Sequence, residues 1–143
     1  MNSSTPGAVR VLVGMLGLDQ HEVGSLAVAG MLRDAGMEVI YLGRFNTPAA
    51  IVRAAIDEDA DVIGISTHSW EYIEYLPELM NALSKAHCDA AVVLGGSVIT
   101  ASDRDQLLEM GVAAIFGAGS ASQDIVAALR TLGATRRAGL ARG

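Results

Sequence analysis

Five short apolar runs recur along the chain, and each is followed by a stretch with helical spacing. The runs lie at residues 10–15 (around Val11-Leu12-Val13), 38–42, 61–66, 90–94 and 112–116. They are continuously apolar rather than alternating, so each reads as a strand buried on both faces. The stretches between them carry apolar residues on one helical face, as Ile51, Val52, Ala55 and Ile56 do. Strand and helix alternating five times predict an α/β fold. Its sheet is parallel, helices cover both faces, and the crossovers are right-handed.

Local signals set the expected boundaries. Residues 1–8 form a flexible leader. A first helix spans about Glu22 to Ala35 and stops at Gly36, which suits the position after a helix end. Strand two ends at Gly43. Thr47-Pro48 is a helix start, with Thr47 as the N-cap and Pro48 in the first turn. A third helix reaches about Ala86, and Pro77 inside it implies a kink or a late start. Gly95-Gly96 close strand four, a short helix spans Asp103 to Met110, and Gly133 stops a fifth helix that begins near Ala121. This gives a single domain over residues 9–133, without internal repeats. A basic flexible tail, residues 134–143, carries Arg136, Arg137 and Arg142. The expected sheet is doubly wound, of the flavodoxin-like (Rossmann-like) kind, in the order 2-1-3-4-5.

Composition removes several classes of function. Hydrophobic residues make up 51% of the 143 and charged residues 18%, which excludes disorder for the bulk of the chain. A net charge of −6 argues against nucleic acid as the main partner. No apolar run approaches the roughly 20 residues needed to span a bilayer. One cysteine, Cys88, permits no internal disulfide and suits a reducing compartment, so a cytoplasmic location is expected. No base or basic cluster adjoins Cys88 in sequence, and it reads as structural.

The residues that could carry chemistry fall at strand ends. In an open α/β sheet, ligands bind outside the carboxyl ends of the strands where the strand order reverses. That switch point lies between strands one and three, and the loops after them carry His21 and Ser66. An imidazole whose far nitrogen is held by a carboxylate has its tautomer and basicity set for a metal, and Asp19 stands two residues before His21. Gly24, the pair Gly95-Gly96 and the run Gly117-Ala118-Gly119-Ser120 put small residues at the same edge. Each feature has a plainer reading: a surface loop histidine, a serine capping a strand, a simple glycine turn. His68 and Trp70 have two readings as well, as ordinary loop and helix-covering residues or as contacts to a cofactor or partner.

Together, Asp19-x-His21-x-x-Gly24, then Ser66-Thr67-His68, then Gly95-Gly96 resemble the cobalamin-binding domain of the vitamin B12-dependent mutases and methionine synthase. The resemblance spans about residues 9 to 132. It implies that His21 replaces the cofactor's dimethylbenzimidazole as the lower ligand to cobalt, with Gln20 beside it, and that Asp19 hydrogen-bonds the far imidazole nitrogen. It further implies that Gly24 lets the helix start pack near the displaced nucleotide tail. Ser66 hydrogen-bonds the tail's base, Gly95 and Gly96 leave room for it, and Gly117, Gly119 and Ser120 lie near its ribose and phosphate. The second motif has His68 where the family has leucine, and Met15 stands where acyl-CoA mutases often carry lysine.

What the resemblance implies for function is the adenosylcobalamin-binding small subunit of a carbon-skeleton mutase, an isomerase. Such a subunit is inactive without a large catalytic subunit whose (β/α)8 barrel holds the substrate. Thr47-Pro48 and the run at residues 112–117 resemble acyl-CoA mutases, while His21-Glu22-Val23-Gly24 resembles the small subunit of glutamate (methylaspartate) mutase. A reading from another class is a non-catalytic corrinoid carrier or B12 sensor.

Overall fold

The computed structural model describes residues 8–16, 22–67, 71–96, 99–117 and 119–142. Strands and helices alternate: β1 (Arg10–Leu16), α1 (Glu22–Asp34), β2 (Glu38–Asn46), α2 (Pro48–Asp57), β3 (Val62–Thr67), α3 (Glu71–Lys85), β4 (Ala91–Gly96), α4 (Ala101–Glu109), β5 (Ala114–Phe116) and α5 (Ser122–Arg142). The strands pair in parallel in the order β2-β1-β3-β4-β5, as expected.

The two faces of the sheet are covered by different helices. On one face Leu12, Ile63, Ile65, Val92 and Leu94 pack with Ile51 of α2, Leu76 and Leu79 of α3 and Leu107 of α4. On the other, Val11, Val13, Val62 and Val93 pack with Leu32 of α1 and Leu129 of α5. Burying each such aliphatic side chain contributes about 1.5–3 kcal/mol before the entropy of ordering it is subtracted.

Several local expectations hold. Gly36 follows α1 with φ +90°, and Thr47 caps α2 by accepting the Ala50 N–H at 3.1 Å, with Pro48 as the first helical residue. Pro77 lies within α3 on its exposed side, where water can serve the carbonyl that the proline leaves without a donor. α4 starts earlier than expected, because Thr100 and Asp103 form a reciprocal capping box. β2 runs past Gly43 to Asn46, and Gly95 and Gly96 are the last residues of β4 rather than a turn beyond it.

The chain's end differs most from expectation. α5 does not stop at Gly133 but continues to Arg142. Gly133 is a packing glycine: a Cβ there would lie 2.7 and 2.8 Å from the two methyl carbons of Val9. The basic segment is likewise not a frayed, solvated tail. Arg136 pairs with Asp59, Asp61 and Asp89 at 2.9, 2.8 and 2.7 Å, and Arg137 pairs with Asp61 at 2.9 Å. Asp61 is fully buried and also accepts the Arg10 N–H at 2.9 Å. Its carboxylate thus holds the amino ends of β1 and β3 to α5. Burial pushes the Asp61 carboxyl up, but the Arg10 N–H and the Arg137 and Arg136 guanidiniums outweigh it and hold the group below the ordinary 3.8.

Candidate functional site

A cleft of about 320 Å³ opens at the carboxyl end of the sheet, between its α1/α5 face and those two helices. Side-chain size along the strands explains it. On this face β3 presents Val62, then Gly64, then Ser66, and β4 presents Val93, then Gly95. Side chains on one face of a strand recur every second residue, so both strands taper toward their carboxyl ends. On the opposite face the same strands carry Ile63, Ile65, Val92 and Leu94, all buried. The helices cannot close over the tapered corner, and a slot remains.

The helical wall comes from residues one turn apart: Gly24, Ser25, Val28 and Leu32 on α1, and Ile125 and Leu129 on α5. Phe116 closes the β5 side. Among the described residues, no ionisable side chain lines the cleft. It is an apolar slot with hydroxyls at a few places, the usual make-up of a small-molecule site.

The structure brings together seven of the residues singled out from the sequence. Gly24, Ser66, Gly95, Gly96, Gly117, Gly119 and Ser120 all line this one cleft. Asp19, Gln20, His21 and His68 lie outside the described residues, as does Trp70. α1 begins at Glu22, immediately after His21, and Gly24 and Ser25 of its first turn are part of the cleft wall.

The small residues are small for different reasons. Among the described residues, a Cβ on Gly95 would meet only the Phe116 carbonyl oxygen, at an ordinary 3.7 Å, and one on Gly117 would meet nothing within 4 Å. At these two positions the protein itself would tolerate a methyl group, so the space they leave belongs to the cleft. Gly96 is different. Its φ is +153°, and a Cβ there would run into the backbone carbonyl of Thr67. Gly96 is therefore required by the close approach of β4 to β3, whatever occupies the cleft. Ser120 also has an internal duty, since its hydroxyl donates to the Gly117 carbonyl oxygen at 2.8 Å and closes the turn before α5.

Sequence reasoning missed Gly64 and Ser25. Gly64 sits in mid-strand, where a lone glycine signals close approach of another group. That signal was present but was absorbed into an apolar run. Ser25 is 1% exposed and shares a 3.0 Å hydrogen bond with the Tyr41 hydroxyl of β2. Nothing local marks it, because its partner lies on another element.

Comparisons with known proteins bear on the family and the fold. The B12 binding domain family matches residues 9–127. The pivalyl-CoA mutase small subunit of Xanthobacter autotrophicus is 41% identical over 130 residues, covering 91% of this chain and 87% of that protein. The 2-hydroxyisobutanoyl-CoA mutase small subunit of Aquincola tertiaricarbonis is 36% identical over 130 residues, covering 91% and 96%. Among solved structures, a cobalamin-binding protein from Desulfitobacterium hafniense superposes with a TM-score of 0.75 at 18% identity, over 87% of this chain and 58% of that one. A signal receiver domain from Vibrio parahaemolyticus reaches 0.70 at 8% identity, over 95% and 98%. At such identities the structural likeness speaks for the fold alone, which receivers share without this chain's glycine-walled slot being implied in them. The family match covers most of the chain, and the full-length relatives exceed a third identity: this chain belongs to the B12-binding domain family.

Proposed function

We propose that this chain is the cobalamin-binding small subunit of an adenosylcobalamin-dependent acyl-CoA mutase. The observation that carries the reading is the cleft, in which Gly24, Ser66, Gly95, Gly117 and Gly119 converge from separate motifs on one uncharged slot. Its residues fit the cofactor's nucleotide tail. A flat aromatic base needs a narrow apolar slot, and the free Cβ positions at Gly95 and Gly117 supply the space. Ser66, which lines the slot, would hydrogen-bond a ring nitrogen of that base through its hydroxyl. Gly119 and Ser120, which line the cleft just before α5, would lie near the ribose and phosphate.

In this reading His21 would hold the cobalt through its imidazole, and Asp19 would fix its tautomer from the far nitrogen. Gln20 and His68 flank the cofactor. When bound, adenosylcobalamin supplies radical chemistry through its weak cobalt–carbon bond, and the protein supplies orientation and electronics. The relatives' being small subunits supports a substrate site on a large partner subunit, with a (β/α)8 barrel. Relatives that act on pivalyl-CoA and 2-hydroxyisobutanoyl-CoA support an acyl-CoA over glutamate as the substrate class. Their being subunits supports a mutase component over a free-standing carrier or sensor. No helix among the described residues is long and apolar enough to cross a membrane.

The test is an absorption titration of the purified chain with adenosylcobalamin and hydroxocobalamin, beside His21→Ala. The expected result is binding with the cofactor's own base displaced and a protein nitrogen on cobalt, the nitrogen ligand being absent in the variant. Equal spectra for wild type and His21→Ala would overturn the assignment of His21.

A further inference from the structure

The cleft holds few hydrogen-bonding side chains, and they are unequally free. Among the described residues three hydroxyls line it, those of Ser25, Ser66 and Ser120. Two of them are committed within the protein. Ser25 shares its 3.0 Å bond with Tyr41, and Ser120 donates to the Gly117 carbonyl oxygen at 2.8 Å. Ser66, the next-to-last residue of β3, is left to meet a ligand.

Inward from Ser66, on the same face of β3, comes Gly64, about 7 Å deeper. Gly64 stands in register between Val13 of β1 and Val93 of β4. A Cβ on Gly64 would lie 3.8 Å from a Val93 methyl carbon and 4.0 Å from a Val13 methyl carbon, both ordinary contacts. The missing side chain thus leaves a gap walled by methyl groups. Val28 and Leu32 of α1 and Leu129 of α5 line the helical side of the same cleft. The peptide groups around Gly64 belong to the parallel ladders of β1, β3 and β4, where they serve one another. Among the described residues, the inner slot therefore offers a ligand no polar partner.

A flat bicyclic base whose ring nitrogen meets the Ser66 hydroxyl would carry its far, six-membered ring toward Gly64. That ring decides the fit. In dimethylbenzimidazole it is all carbon and bears two methyl groups, and the base has one nitrogen free to accept a hydrogen bond. In adenine the same ring holds two nitrogens and bears an amino group, each of which would be buried without a partner. We infer that the slot selects among corrinoids by the base of the nucleotide tail, taking a benzimidazole and rejecting a purine. The inference rests on the reading of the cleft as the tail's site.

The experiment measures, by isothermal titration calorimetry, the dissociation constants of the full chain for three corrinoids with the same upper ligand. They are hydroxocobalamin, its adenine-tailed analogue, and hydroxocobinamide, which has no nucleotide tail. Hydroxocobalamin is expected to bind at least about tenfold more tightly than the adenine-tailed analogue, the factor set by one buried polar group without a partner. Gly64→Ala puts a methyl group into the inner slot at ordinary contact distances from the protein. It should weaken hydroxocobalamin several-fold and leave hydroxocobinamide unchanged. Equal affinity for the two tailed corrinoids, both tighter than hydroxocobinamide, would overturn the inference and keep the tail in the slot. So would a Gly64→Ala chain that binds hydroxocobalamin as the wild type does. Equal affinity for all three would remove the tail from the cleft, and no binding of hydroxocobalamin would remove the cofactor reading itself. Both of those failures are distinct from a lost preference between bases.

Discussion

At the amino end of the sheet, a buried carboxylate is gripped by groups from two separate parts of the chain. Asp61 accepts from the Arg10 N–H and from Arg136 and Arg137 on α5, and Arg136 reaches on to Asp59 and Asp89. At the carboxyl end, the α1/α5 side holds glycines, serines and a slot without an ionisable group among its described residues. The contrast shows a division of labour along the strands. Charge fixes the end where nothing needs to enter, and the end that must admit a ligand is left small, apolar and uncommitted. Perturbing the first end should cost stability and spare binding, and perturbing the second should do the reverse.

The largest effect is expected at Asp61. Asp61→Ala removes a buried anion, orphans the Arg10 N–H and leaves Arg137 without its partner, although Arg136 retains Asp59 and Asp89. Urea denaturation at pH 7 should show a loss of about 3 kcal/mol, toward the lower part of the range for breaking a buried pair. Below its melting range the variant should bind cobalamin like the wild type, and weakened binding there would break the separation of the two ends. The pH dependence has a definite sign. The folded-state pKa of Asp61 is lowered, so its contribution is present above the ordinary 3.8 and is lost as pH falls through the folded value. The stability gap between wild type and variant should therefore narrow in acid.

Next comes Gly95. In Gly95→Leu a side chain would enter the slot from a position where the Cβ itself is unopposed. Cobalamin affinity should fall by at least about 100-fold, near 2.7 kcal/mol, with the melting temperature nearly unchanged. A Gly95→Leu chain that binds normally would show that the tail does not use this slot. Gly133→Val is smaller and acts at the other end. It would drive methyl groups into Val9, and overpacking of that kind costs about 1–2 kcal/mol. Thermal melts should register the loss, and cobalamin titrations should not.

Much of this division was legible in the sequence, and the parts that were not share a cause. The alternation of strand and helix, the Thr47-Pro48 helix start and the Gly36 stop follow from patterns within a few residues. The convergence of Gly24, Ser66, Gly95 and Gly117 follows from their places at strand ends, which the parallel topology gathers at one edge. Gly133 was misread because a glycine after a helical run looks the same whether it ends the helix or packs on Val9. The basic tail was misread because Asp59, Asp61 and Asp89 are remote in sequence, and only the fold shows them beneath Arg136. The reach of β2 to Asn46 depends on irregular pairing with β1, which no periodicity in one strand can reveal.

The smallest effect tests whether the carboxyl end is uncommitted on both faces or only on the cleft side. Tyr72, in the first turn of α3, is 2% exposed and donates to Asp103 at 3.4 Å, a long bond to a carboxylate that already caps α4. Tyr72→Phe keeps the ring in the core and should cost only about 0.5–1 kcal/mol at pH 7, because a bond of that length is weak. Burial, with the Asp103 charge and hydrogen bond beside it, pushes the Tyr72 hydroxyl up from 10.0 to about 12. Its neutral form is thus favoured by folding. That contribution is complete below pH 10 and is lost as pH rises through the folded value, since the unfolded chain ionises first. Wild-type stability should accordingly decline between about pH 10 and 12, and Tyr72→Phe should flatten that decline, as urea denaturation across this range would register. An unchanged alkaline limb would mean that Tyr72 ionises freely in the folded protein. The α3/α4 side would then be as loosely held as the cleft.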